Sequence, residues 1–185
     1  MESEPQSIHP GPWGEFPDSL WRAYFGRESD YYMNQLAKLR AGQRLDFSLV
    51  AFLFGLAWMI YRKMYAVAFA ALMIILLEST LEEVVSQLLR VPETVSGALG
   101  TLISIVLGIL VGSYANRVYL WDARRAIRQV LQEMPHASSE ELTDRIRRSG
   151  GTSVLALIAA LMAGGALLLA LVYAADLLQP AESID

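Results

Sequence analysis

Two stretches of this chain, Thr94–Asn116 and Ser153–Ala175, each run for 23 residues without a charged side chain. A helix rises ~1.5 Å per residue, so each would reach roughly 35 Å, enough to cross the ~30 Å hydrocarbon core of a bilayer with some tilt. Both are expected to be transmembrane helices. Composition agrees: 54% of the 185 residues are apolar and 18% charged, against about 25% charged in an ordinary soluble domain. The length allows one membrane bundle with modest additions.

The region before them is harder to place. Phe47–Tyr61 is apolar but short, Arg62 and Lys63 follow, and Met64–Leu77 is a second short uncharged run. Neither reaches ~20 residues. Lys and Arg near membrane ends favour the cytoplasm. If 47–61 only dips into the near leaflet and the chain first crosses after Lys63, every basic residue of the fifteen except Arg90 lies on the cytoplasmic side. If 47–61 crosses fully, Arg22, Arg27, Lys38, Arg40 and Arg44 join Arg90 outside. The first layout separates charge better. It predicts crossings at 64–91, 94–116 and 153–175, a cytoplasmic N-terminus, and an outer C-terminus. Trp58, Tyr61, Tyr65, Tyr114, Tyr119 and Trp121 then fall near the cytoplasmic interface, where amphipathic rings settle.

The remaining segments read as polar additions. Residues 1–17 are rich in proline without periodicity and read as a disordered tail, with acids where an export signal needs basic residues. Residues 18–46 carry two amphipathic helices, with Leu20, Trp21, Tyr24 and Phe25 on one stripe and Tyr32, Leu36 and Leu39 on another. In 122–149, Ala123, Ile127, Val130, Leu131 and Met134 form an apolar face flanked by Arg124, Arg125 and Arg128, and Pro135 ends that helix. Ser138 and Glu141 form a capping box for the next. Residues 179–185 are a short tail. The fold class expected is all-α: a polytopic helical membrane protein with three transmembrane helices, a re-entrant or interfacial segment at 47–61, and cytoplasmic amphipathic helices.

Chemical signals are few. There is no cysteine, so thiol chemistry and thiolate zinc sites are excluded. His9 and His136 lack ligand partners nearby, so no metal site or cofactor is expected. A net charge of −4 gives no basis for nucleic-acid binding. Gly150-Gly151-Thr152-Ser153 lacks the preceding strand of a phosphate-binding turn and reads as a hinge and helix cap.

Ser96, Gly100, Ser104, Gly108, Gly112 and Asn116 recur at every fourth position. Such a stripe lets helix backbones approach closely in lipid, within the chain or against a partner. Glu78 and Glu82 stand one turn apart, as solvated interface residues or as a cation or proton site. Arg62, Lys63, Arg124, Arg125 and Arg128 are candidates for lipid head-group contacts, or plain topology determinants.

Several patches resemble a domain-of-unknown-function family of small bacterial inner-membrane proteins. They are Ala51-Phe52-Leu53-Phe54-Gly55 leading to Trp58, Tyr61, Arg62, Lys63, Met64 and Tyr65; Gly112, Asn116 and Tyr119; and Gly151-Thr152-Ser153. Phe25-Gly26 and Tyr31-Tyr32 look similar too. Family members often carry a proline soon after the glycine matched by Gly55, where Leu56 stands here. The resemblance implies a bacterial inner-membrane location and carries no activity. Lacking catalytic groups, the chain is expected to be a non-enzymatic accessory, scaffold or self-associating subunit, with the bilayer, a second copy or another membrane protein as partner. The alternatives are a small transporter or channel component using Glu78 and Glu82, and an inner-leaflet lipid-binding or membrane-shaping protein.

Overall fold

The computed structural model describes residues 13–178, and the expected tails at 1–12 and 179–185 lie outside them. The described chain is all-helical: α1 (Asp18–Phe25), a 3-10 turn (Gly26–Glu28), α2 (Ser29–Arg40), α3 (Leu49–Tyr61), α4 (Tyr65–Leu89), α5 (Glu93–Glu133), α6 (Ser139–Ser149) and α7 (Val154–Leu178).

The spine is α5, a single helix of 41 residues that spans about 60 Å. Separate helices at 94–116 and from 122 were expected, and this is corrected. No glycine or proline stands between Ser113 and Met134 to interrupt the backbone, so the helix runs on until Pro135. Its two halves meet different surroundings. The first half is apolar and largely exposed. The second buries Tyr119, Leu120, Ala123, Ile127 and Val130 in a cap.

That cap is built from α1, α2 and α6. Trp21, Tyr24 and Phe25 of α1, Tyr32 and Leu36 of α2, and Ile146 of α6 close over α5, each nearly or fully buried. The apolar stripes at 18–46 and 122–149 are turned on one another, which removes apolar surface from water. Segment 13–17, read as part of the loose tail, is held too. Phe16 packs on Trp21 at 5.9 Å, and Glu15 accepts two hydrogen bonds from Arg124 at 2.8 and 2.9 Å. The predicted capping box at Ser138 and Glu141 is present.

Among the described residues two helices, α5 and the unit ending in α7, are long and apolar enough to cross a membrane, not the three expected. The expected first crossing falls on α4, whose 25 residues carry Glu78, Glu82 and Glu83, so its uncharged run ends at Leu77. Its placement is nonetheless regular. Ser86 meets Ser96 at 3.0 Å, Glu82 lies over Gly100 and Ser96, and Glu78 shares a cavity with Ser104 and Gly108. The pairs step antiparallel, one turn at a time, so α4 lies along the apolar half of α5.

Segment 47–61 forms α3, too short at 13 residues to cross and broken at Gly55 (φ 40°, ψ −109°). Distances to α5 trace a wedge. The Ser48 N–H donates to the Gly112 carbonyl at 2.8 Å, Phe52 packs on Gly108 one turn deeper, and Trp58 has returned to Tyr119 at 6.2 Å. The chain enters beside Gly112, dips to Gly108 and leaves beside Tyr119, about two turns of α5 from where it entered. Lys63, left-handed at φ 60°, then closes the end of α3, with the Lys63 and Met64 N–H groups bonding back to Ile60 and Met59.

Close approach separates two glycines in a testable way. A Cβ on Gly150 would lie 2.2 Å from the Tyr24 carbonyl oxygen, which is fixed backbone, whereas one on Gly112 would first meet Phe47 Cζ at 2.4 Å, the free end of an exposed ring. Gly150→Ala is expected to cost about 2–3 kcal/mol and Gly112→Ala about 1 kcal/mol or less, measured by unfolding in detergent. Equal losses would contradict the packing described.

Candidate functional site

The joint between cap and apolar layer is organised by Tyr61-Arg62-Lys63-Met64. Arg62 follows the last turn of α3 and is 2% exposed. Its guanidinium carbon lies 4.7 Å from the ring centroid of Tyr32 and 5.2 Å from that of Tyr119, with Tyr61 at 5.9 Å. Charge over an aromatic face is attracted by the ring quadrupole, and more so out of water. Glu28, in the 3-10 turn, pairs with Nη2, while Nε and Nη1 have no partner.

Tyr119 is the centre of the ring cluster. Tyr32 stacks at 4.4 Å, Phe25 at 5.8 Å and Tyr24 at 6.0 Å, so α1, α2, α3 and α5 meet on one side chain. Burial, opposed by Arg62, pushes the Tyr119 hydroxyl up to about 12. The Tyr24 hydroxyl donates to Asp122 at 3.1 Å. Burial likewise lifts the Asp122 carboxyl above its usual range, against the lowering by Tyr24 and Arg125.

A polar clamp holds the entrance to α3. Asn116, fully buried, donates to the Tyr31 hydroxyl at 2.8 Å and to the Asp46 carbonyl at 2.9 Å. The Asp46 carboxylate accepts from Lys38 at 2.6 Å and Gln35 at 2.6 Å, and these bonds hold its pKa below the usual range. On the far side the Gly151 N–H donates to the Tyr24 carbonyl and the Ser153 N–H to the Tyr61 carbonyl, both at 2.8 Å, while Lys63 Nζ reaches the Arg148 carbonyl at 3.0 Å.

The sequence-derived candidates are thus redistributed. Trp58, Tyr61, Arg62, Lys63 and Met64 come together with Gly112, Asn116, Tyr119 and Gly151–Ser153, while Tyr65 is exposed on α4. The small-residue stripe is occupied within the chain: Gly108, Gly112 and Asn116 face α3 and its entrance, and Ser96, Gly100 and Ser104 face α4. The five basic candidates for lipid contact do not form one set. Arg62 is buried, Arg124 and Arg128 hold Glu15, and Arg125 lies over Trp121 at 5.9 Å. Trp58 and Tyr119, expected at the membrane interface, are in the hub, while Tyr65, Tyr114 and Trp121 are exposed. Of Glu78 and Glu82, the first leaves Oε1 buried without a partner beneath the α3 wedge. Among the described residues no cluster could hold a metal.

Nothing in the sequence marks Glu28, Asp46, Gln35 or Asp122 as site residues, and Tyr24 is legible only as part of an apolar stripe. Their partners lie 98 positions away for Tyr24 and Asp122 and 34 for Arg62 and Glu28, and no local spacing signals such pairs. Phe25 and Tyr32 are legible as members of apolar helix stripes, and Gly26 and Tyr31 only through the family resemblance.

Fold and site define an all-helical protein with two helices long enough to cross a bilayer, joined by an arginine–aromatic hub to a helical cap. The chain belongs to the family described as "Protein of unknown function (DUF2628)", which it matches over residues 20–125. That stretch contains the hub and ends before the Gly151–Ser153 patch. No curated protein and no solved structure matches the chain.

Removing Arg62 strands Glu28 and empties the space between two rings. Arg62→Ala is expected to cost about 3 kcal/mol or more, and Glu28→Gln about 2 kcal/mol or more, since it leaves the buried Arg62 guanidinium without its carboxylate partner. Calorimetric or denaturant unfolding measures both, and a near-neutral Glu28→Gln would contradict the compensation of the buried charge described here. Asp122 and Asp46 should also act in opposite senses with pH. Folded Asp122 holds its proton more tightly than the unfolded chain, so its contribution to stability is lost as pH rises through its raised pKa; that of Asp46 is lost as pH falls through its lowered one. Asp122→Asn should flatten the decline in stability above the ordinary pKa of 3.8, and Asp46→Asn should flatten the decline below it. An unchanged pH profile for both would count against these assignments.

Proposed function

We propose that this chain is a multi-pass helical membrane protein that works by association, as an accessory or scaffold subunit rather than as an enzyme. The length and apolar character of α5 and α7 support the membrane setting. The register of α4 along α5 supports its crossing the same layer, with Glu78 and Glu82 turned toward the small residues of α5 instead of lipid tails. The cap then lies on the side that carries nearly all the basic residues, the side favoured for the cytoplasm.

The observation that carries the associative reading is α7. It packs on α3 near its start and is then exposed along its length, with open space beside Gly164 and Gly165. Small residues at such a place let another helix approach closely in lipid. The stripe on α5, already filled by the chain's own helices, does not supply that surface. A partner helix, from a second copy or another membrane protein, is the occupant proposed.

Native mass spectrometry after extraction into nanodiscs should find wild-type protein in a complex and the Gly164→Leu, Gly165→Leu variant as a folded single copy. Wild type found only as a single copy would refute the proposal. Because the chain lacks cysteine, single cysteines at Glu93 and His136 give the topology. Impermeant label should reach them from opposite sides of the membrane, and same-side labelling would end the membrane reading.

One observation favours a second reading, a transporter or channel component. The unpartnered Glu78 oxygen faces a cavity of about 350 Å³ lined by Phe52, Gly55 and Ser104. Cation or proton flux in proteoliposomes, abolished by Glu78→Gln with Glu82→Gln, is its expected signature. Flux that is absent, or untouched by the pair, would remove it.

A further inference from the structure

A second cavity, of about 440 Å³, opens where the end of α1, the α3–α4 turn and the α6–α7 joint meet. Its walls carry four basic side chains, Arg27, Arg62, Lys63 and Arg147, against a single acid, Glu28. Glu28 is already paired with Arg62. Arg27 has no ion-pair partner among the described residues, and Arg147 has only an exposed pair with Asp144 at 2.9 Å. Two independent features add to this excess. The buried guanidinium of Arg62 lines the cavity and leaves Nε and Nη1 without acceptors, and a buried donor left unsatisfied is costly. The α7 helix begins at the cavity wall with Val154, which brings its positive dipole end to the same place.

We propose that this cavity binds a phosphate monoester group, with Arg27, Lys63 and Arg147 at its rim and Arg62 at its base. The chemistry asks for an anion with several acceptor oxygens. A phosphate dianion offers these to forked guanidinium donors in a way a single carboxylate does not. Arg124 and Arg128, the more obvious basic face, are held by Glu15 and do not line the cavity. The same group is presented by a phosphatidic-acid headgroup and by a soluble phosphate ester. The lipid source rests on the membrane reading above and the soluble source does not, so the two fail separately.

The test uses the full chain in phosphatidylcholine nanodiscs. In one arm inorganic phosphate and glycerol phosphate are titrated calorimetrically; in the other, phosphatidic acid is added to the discs and retained lipid is counted by native mass spectrometry. In at least one arm we expect saturable one-to-one binding, weakened about tenfold or more by Arg27→Gln with Arg147→Gln, both exposed positions, and again by Lys63→Gln. The comparison variant, Arg44→Gln with Arg117→Gln, removes the same charge from a different basic cavity and should change affinity less than about twofold. Binding confined to the soluble arm assigns the site to a phosphate ester, and binding confined to the lipid arm assigns it to a headgroup. Absence of saturable binding in both arms, or equal weakening by the two double variants, overturns the proposal.

Discussion

Taking a guanidinium out of water costs several kcal/mol unless its charge is met by partners in good geometry, and Arg62 meets them only when four segments are in place together. Glu28 must arrive from the 3-10 turn, Tyr32 from α2, Tyr119 from α5, and Arg62 itself from the end of α3. None is close to another in sequence except Glu28 and Tyr32. The charge therefore acts as a condition on the whole joint: displacing any one element leaves a buried cation without compensation. The aromatic rings around Tyr119 add the non-directional part, removing apolar surface from water while meeting it at interplanar angles between 38° and 64°.

On α5, one helix serves two packing regimes. Its polar half presents Leu120, Ala123, Ile127 and Val130 to a core that excludes water, and shape and area decide there. Its apolar half presents glycine and serine, and backbone approach decides there. The α3 wedge exploits this. With no Cβ at Gly108 and Gly112, Phe52 and Phe47 lie directly on the α5 backbone, and the left-handed break at Gly55 lets α3 turn back before it has gone far.

The two ends of the molecule are packed differently. The cap is crossed by charge-assisted bonds, Glu15 to Arg124 and Arg128, Arg40 to Asp18 and Lys38 to Asp46, and its helices are short and closely seated. Beyond the wedge α4 and α5 touch through serine and glutamate, and α7 is unsupported. An exposed α7 with open space at Gly164 and Gly165 leaves room for another helix, which is why association is the function proposed.

Much of this architecture is legible in the order of the amino acids. The uncharged runs mark α5 and α7 because each keeps charge off 23 successive residues, about the length a helix needs to cross hydrocarbon, and the capping box and Pro135 place the ends of α6 and α5 by local hydrogen bonding and sterics. The glycine–serine stripe and the Trp58–Tyr65 motif point to the right residues, though not to their partners. What the amino-acid order alone determined was thus whatever depends on neighbours within a turn or two: periodicity, caps, breaks and the sorting of charge. Only the tertiary structure decided that Arg62 is buried and not at a lipid surface, that Tyr119 and Trp58 leave the interface for the core, and that the stripe is filled from within. Those outcomes turn on contacts between residues tens of positions apart, where burial energy and the need to compensate a buried charge outweigh any local preference.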